Sequence, residues 1–208
     1  MIHEVIIDGV RYVPAASGEN WWVKALRELE PDYPTGAWGA NTGHRKASGE
    51  AVAYNASQIS KRYLDQIAKV AGKKGLAEEV LLGLFDRESN HGRSLDARGY
   101  GDRGRAFGVG QVDCRFHTPI GKPYPLSEEH MAQCCDILED CRSKVATAHP
   151  DWPDKYILKG ALVAYNSGVK NVVTIDRMDR RTTGGDYGAD VTARAQIWAE
   201  LLKNEKSV

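Results

Sequence analysis

The chain has 208 residues, room for one domain with an appendage and for a substantial core. Its 42% apolar and 27% charged content is that of a soluble globular protein, with 28 Lys plus Arg against 28 Asp plus Glu. That balance counts against a nucleic-acid binder, which favours a basic excess, and no stretch reaches the roughly 20 apolar residues of a membrane helix. The first twenty residues include His3, Glu4, Asp8 and Arg11 and no apolar h-region, so no cleavable secretory signal is expected. Cys134, Cys135 and Cys141 fall in one helical run and Cys114 stands apart, a poor layout for disulfides. Reduced thiols and synthesis in a reducing compartment follow as expectations.

In chain order, "HEVIIDGVRYV" (3–13) reads as two short strands around Asp8-Gly9, a hairpin signal. "NWWVKALRELE" places apolar residues at 22, 23, 26 and 29 and predicts a short amphipathic helix. Residues 31–49 are rich in Pro, Gly and Ser and read as a loop, with a domain boundary near residue 45. The remainder reads as mostly helical. Ser57 or a neighbour is expected to cap a helix bearing Ile59, Tyr63, Ile67 and Val70. A second helix is expected from Leu76 to about Asn90. Ser127 precedes a third, with Met131, Cys134, Cys135, Leu138, Cys141 and Val145 on one side. Asp151 and Pro153 announce a fourth, ending in "AYNSG" at Gly168. The last starts near Asp186, with Tyr187, Val191, Ala195, Trp198 and Leu202 on its apolar side.

Glu88 breaks this pattern. At about 100° per residue it lies about 20° from Leu81 and about 40° from Leu84, in line with the core face. Asp86, about 160° away on the same count, is expected to face solvent. Glu88 also precedes Gly92, a candidate C-terminal cap. Burial and the negative end of the helix dipole both disfavour its carboxylate. An acid still protonated near neutral pH can donate to a leaving group. The following loop, "GYGDRGRAFGVGQVD", lacks the residues of a P-loop or a dinucleotide fingerprint but carries Asp102 and Asp113. Glycoside hydrolysis needs paired carboxyl groups, about 6.5–9.5 Å apart in inverting enzymes. Aspartates in glycine-rich loops are also common turn formers.

"RESNHG", "GYGDRGRAFGVGQVDCRFHTP", "AYNSG" and "DYGADVTARAQ", in that order, resemble the goose-type lysozymes of glycoside hydrolase family 23. The likeness covers about residues 46–203. It implies a mainly α, lysozyme-like fold shared with soluble lytic transglycosylases, with a cleft between helical lobes. Matched by motif, it implies Glu88 as general acid and Asp102 and Asp113 as the aspartates that hold water. His117 and Tyr165 match positions near the scissile bond, and Gln111, Asn166 and Tyr187 match others that contact sugar or support the site. The implied reaction is inverting hydrolysis of the β-1,4 bond between N-acetylmuramic acid and N-acetylglucosamine in peptidoglycan, without metal or other cofactor. The loop between Glu88 and Asp102 has one residue more than the avian form, and no cysteines are present for the amino-terminal disulfides of the secreted avian members. Residues 1–45, a hairpin-plus-helix extension, match nothing in the family, leaving 46–208 as the catalytic domain.

Competing readings stand beside these. Tyr165 shares a helix face with Leu158 and Ala161, so packing alone explains its ring, and asparagine at 166 suits a helix end without any sugar. His130, Cys134 and Cys141 are spaced to suit a soft metal, yet cysteines on an apolar stripe are more often small hydrophobes. Trp21, Trp22 and Trp38 suit either sugar stacking or the extension's own core. "DRMDRR" (176–181) reads as a solvated turn. The activity alternatives are a lytic transglycosylase and a peptidoglycan-binding module without turnover. The partner expected is bacterial peptidoglycan, with no nucleic acid, no membrane insertion and a monomeric state. The place of action expected is the bacterial wall, reached by phage release or leaderless secretion.

Overall fold

The structure, a computed structural model, describes residues 5–7, 10–12, 19–30 and 49–205. It is mainly α. Strands β1 (Val5–Ile7) and β2 (Val10–Tyr12) pair antiparallel, Ile7 opposite Val10; Asp8 and Gly9 between them lie outside the described residues. Helix α1 (Trp21–Glu28) begins at Asn20, whose Oδ1 accepts from the amides of Trp22 (2.9 Å) and Val23 (3.4 Å). Trp22 and Leu26 are buried in the same core as the later helices, and Trp21 lies under the Arg142 guanidinium. Trp38 and the boundary near residue 45 lie outside the described residues.

Helix α2 (Gly49–Ser57) has no counterpart among the expected helices, and Ser57 closes it rather than capping the next helix. The cap of α3 (Lys61–Lys74) is Ser60, whose Oγ accepts from Tyr63 N at 3.2 Å, and Ile59 lies in the linker. Helix α4 (Glu78–Ser89) ends on Asn90 in the left-handed region at φ 48°, one of the few non-glycine residues that tolerate it. Asn90 therefore takes the capping place assigned to Gly92. Strands β3 (Tyr100–Gly101), β4 (Ala106–Phe107) and β5 (Val112–Asp113) form a small antiparallel sheet with β4 in the centre.

Helix α5 (Glu128–Ala148) is capped as expected by Ser127 Oγ, 3.2 Å from His130 N, and buries all six residues named for its inner face. Helix α6 (Asp154–Ser167) stops at Gly168, and α7 (Tyr187–Glu205) completes the chain. Helices α4 and α7 lie against each other at the centre. A Cβ on Gly83 would sit 2.8 Å from both Val191 O and Ala195 N, so only glycine lets the two backbones approach this closely.

Being central, α4 has no wet face. Asp86, expected in solvent, is fully buried at 0% exposure, and Arg87 is at 4%. Buried charge needs partners, and α7 supplies them. Arg194 donates from Nη1 to Asp86 Oδ2 at 3.0 Å and from Nε to Asp190 Oδ2 at 2.8 Å. Arg87 donates from Nη1 to the same Asp190 oxygen at 2.9 Å and reaches Asp186 Oδ1 at 3.4 Å. Asn55 of α2 donates to the other Asp86 oxygen and accepts from Arg93. Burial pushes the Asp86 carboxyl up, and Arg194 works against it.

Removing one partner strands the others. Arg194→Ala is expected to destabilise the fold by about 3–5 kcal/mol, the scale for an orphaned buried charge. Lys144→Ala, which deletes an exposed pair with Asp140, is expected to cost about 0.5 kcal/mol or less. Urea denaturation of the two variants checks the contrast.

Candidate active site

From Val80 to Ser89 every residue is buried except Glu88, which is half-buried. The buried run fixes the helix on all sides, so the one partly open side chain of the last turn is held rather than frayed. Tyr187, the first residue of α7, is buried and donates from Oη to Glu88 Oε1. The Arg87 guanidinium lies 5.4 Å from the centre of the Tyr187 ring. Burial pushes the Glu88 carboxyl up to about 7, while the Tyr187 hydroxyl and the Arg87 charge pull the other way. With Oε1 accepting from Tyr187, Oε2 is the oxygen left to carry a transferable proton. Burial also lifts the Tyr187 phenol well above its usual value, so it remains a donor.

Tyr165 is the second phenol here. It is half-buried and donates from Oη to Gly110 O at 2.7 Å. Burial, then the charges of Cys134 and Glu88, lift its hydroxyl well above the ordinary range. Tyr165 thus ties α6 to the glycine-rich loop beside Glu88. Gln111, at φ 50°, donates from Nε2 to Gly108 O at 2.9 Å within that loop. Asn166 does not cap its own helix: its Oδ1 accepts from Thr183 N at 2.9 Å and holds the segment leading into Tyr187.

The sheet organises the aspartates. Asp113 pairs with Ala106, and Ala106 with Gly101, the residue before Asp102. Strands stand about 4.8 Å apart, so the outer strands β3 and β5 lie roughly 10 Å apart; Asp113 ends β5, and Asp102 opens the 3-10 turn that follows β3 at the same sheet end. Asp102 is exposed and in the left-handed region at φ 41°; its backbone carbonyl accepts from Arg105 N at 3.1 Å, and its carboxylate has no hydrogen-bond partner among the described residues. Asp113 is half-buried and engaged. Its Oδ2 receives Arg115 Nη2 at 2.5 Å, and its Oδ1 receives the Arg115 amide at 2.8 Å. These bonds hold the Asp113 carboxyl below its usual value, so it stays ionised. His117 is exposed; its amide donates to Asp113 O at 3.0 Å, and its ring borders a groove along the outer face of α5 with Ile120 and Gln133.

His130 and Cys134 meet at 3.6 Å, but among the described residues no group of three or more His, Cys, Asp or Glu side chains is placed to hold a metal. All four cysteines are free, and only Cys114 is exposed. Sequence reasoning missed Arg87, Asp186, Asp190 and Arg194 as supports of the site. A signal was present: Asp190 and Arg194 stand four apart on a helix that is otherwise apolar on that side.

The raised carboxyl of Glu88 carries a stability signature. The folded state holds the proton more tightly than the unfolded chain does. Its contribution is therefore complete below the unfolded value of 4.5 and lost as pH rises through about 7. Glu88→Gln, which cannot ionise, is expected to melt above the wild type at pH 8, with the gap shrinking as pH falls toward 4.5. Thermal melts across that range check the sign.

Comparison with known proteins agrees with this architecture. A family model described as Lysozyme g matches residues 39–201. Lysozyme g of Casuarius casuarius is 40% identical over 154 residues, covering 74% of this chain and 82% of the relative. Lysozyme G of Dromaius novaehollandiae is 38% identical over 154 residues, 74% of each chain. Lysozyme g of Cyprinus carpio is 38% identical over 135 residues, 65% of this chain and 71% of the relative. The chain belongs to the lysozyme g family and is a glycoside hydrolase.

Proposed function

We propose that the protein is a muramidase that hydrolyses the β-1,4 bond between N-acetylmuramic acid and N-acetylglucosamine in bacterial peptidoglycan. Residues 46–208 would carry the activity, with α1 of the amino-terminal extension bracing the core. The observation that carries this reading is Glu88, half-open to solvent with its carboxyl pushed up to about 7 and one oxygen engaged by Tyr187. Its free oxygen protonates the glycosidic oxygen as the bond breaks. Positive charge builds at the anomeric carbon. Water then attacks from the opposite face and the configuration inverts.

A base must take the proton from that water. Asp102 suits the task better than Asp113. Both Asp113 oxygens already accept from Arg115, which lowers its basicity, whereas the Asp102 carboxylate is uncommitted. Asp113 then orders the loop and, through its backbone carbonyl, the turn that carries His117. Tyr165, Gln111 and Asn166 shape the surroundings of Glu88 through the contacts described above. No metal or cofactor is needed for these steps.

A transglycosylase on the same fold would use the sugar's own 6-hydroxyl as nucleophile and leave 1,6-anhydro ends. A second carboxylate able to activate water favours hydrolysis. A binding module without turnover would have no use for an acid poised near neutrality.

Lysis of purified walls by Glu88→Gln is expected to fall at least about a hundredfold, with binding to wall fragments retained. Asp102→Asn is expected to lose more rate than Asp113→Asn. Mass spectrometry of the released muropeptides should find reducing ends; anhydro ends would assign the transglycosylase reaction instead.

A further inference from the structure

Residue 179 falls in "DRMDRR", the stretch expected to be a solvated turn. Asp176, Arg177, Arg180 and Arg181 are exposed as expected, but Met178–Arg181 form a short 3-10 turn with Met178 buried at its start. The Asp179 carboxylate is aimed at the start of α7. Its Oδ1 accepts from Gly188 N, and its Oδ2 accepts from Ala189 N at 3.1 Å. These are amides that a helix N-terminus leaves without internal partners. A negative charge there also meets the positive end of the helix dipole. Gly188 makes the approach possible, since a Cβ would lie 2.6 Å from Val163 Cγ2 and 3.0 Å from Asp179 Oδ1.

The same turn grips Tyr187. Thr182 Oγ1 accepts from Tyr187 N at 3.2 Å and donates to Asp179 O at 2.8 Å. Residues 179 and 182 thus hold the backbone of residues 187–189. Tyr187 is the residue whose hydroxyl meets Glu88, 99 positions away in sequence.

We infer that Asp179 is a positioning residue for the hydrolytic reaction: by anchoring the first turn of α7, it aims the Tyr187 hydroxyl at Glu88. The inference rests on the reading of Glu88 as general acid. The groups facing Glu88 are Arg87 on its own helix, Cys134 of α5, Tyr165 of α6 and Tyr187 of α7. Asp179 itself faces Lys159 Nζ at 3.5 Å and the charge of Asp186. Of the groups facing Glu88, Tyr187 is the one whose adjoining backbone, Gly188 and Ala189, the Asp179 carboxylate holds directly. The Tyr187 hydrogen bond favours the ionised form of Glu88, so loosening it makes Glu88 hold its proton to higher pH.

The test is the pH profile of wall hydrolysis by the full chain carrying Tyr187→Phe, Asp179→Ala, Asp179→Asn, or Asp179→Ala with Tyr187→Phe. Tyr187→Phe should move the alkaline limb to higher pH. Asp179→Ala should move it in the same direction and lower kcat about tenfold, with KM within about twofold. The double variant should move the limb no further than Tyr187→Phe alone, because both changes act on one bond. Asp179→Asn keeps one acceptor oxygen and should fall between wild type and Asp179→Ala; it also serves if the alanine variant fails to fold. An unmoved limb in both Asp179 variants, or a double variant whose shift is the sum of the two, overturns the inference while leaving Glu88 as general acid. An unmoved limb in Tyr187→Phe, or unchanged hydrolysis by Glu88→Gln, removes the coupling or the general acid and takes the inference with it.

Discussion

The structure depends on the buried charge chain Asp86–Arg194–Asp190–Arg87. Four charged side chains in a nearly dry interior would be costly apart, and each must find its partner across α4 and α7. The chain therefore admits one register of the two helices. Gly83 lets the backbones close to that register, and apolar packing of Leu81, Leu84, Val191 and Ala195 fills what remains. In that register the last turn of α4 meets the first turn of α7, which brings Glu88 to Tyr187.

The site's chemistry follows from this placement. A carboxylic acid on an ordinary surface helix ionises well below neutrality. Here the neighbouring side chains exclude water from one side of Glu88, and Arg87, whose positive charge favours the ionised form of Glu88, is already engaged by Asp186 and Asp190. Desolvation outweighs the Tyr187 hydrogen bond, and the carboxyl titrates near neutrality. Asp113 in the loop meets the opposite condition: its hydrogen bonds with Arg115 hold that carboxyl below its usual value, so one fold pushes two carboxyl groups in opposite directions.

Much of this was legible in the sequence. The helices behind Ser127, after Pro153 and from Tyr187 onward show clear apolar periods and end signals, and the hairpin at Asp8-Gly9 announces itself locally. The phase of Glu88 against Leu81 and Leu84 marked it as an acid out of place. Periodicity failed where its assumption of one wet face failed. The helical phase points Asp86 to solvent only if α4 has a wet side, whereas that helix is enclosed all round. Helix α2 is short and buries only Ala51, Val52 and Asn55, too little for a readable stripe. Pairings such as Tyr187 with Glu88 and Asn166 with Thr183 depend on tertiary closure, which no local window contains. The role of Asp179 was hidden in a charged run that looks like any exposed turn.

The central claim is that Glu88 keeps its proton near neutral pH in the folded protein. Titration of the Glu88 side-chain carboxyl carbon by NMR in the intact chain tests it without substrate. A midpoint near 7 is the predicted result. A midpoint near 4.5, the value of an unperturbed glutamate, would contradict it.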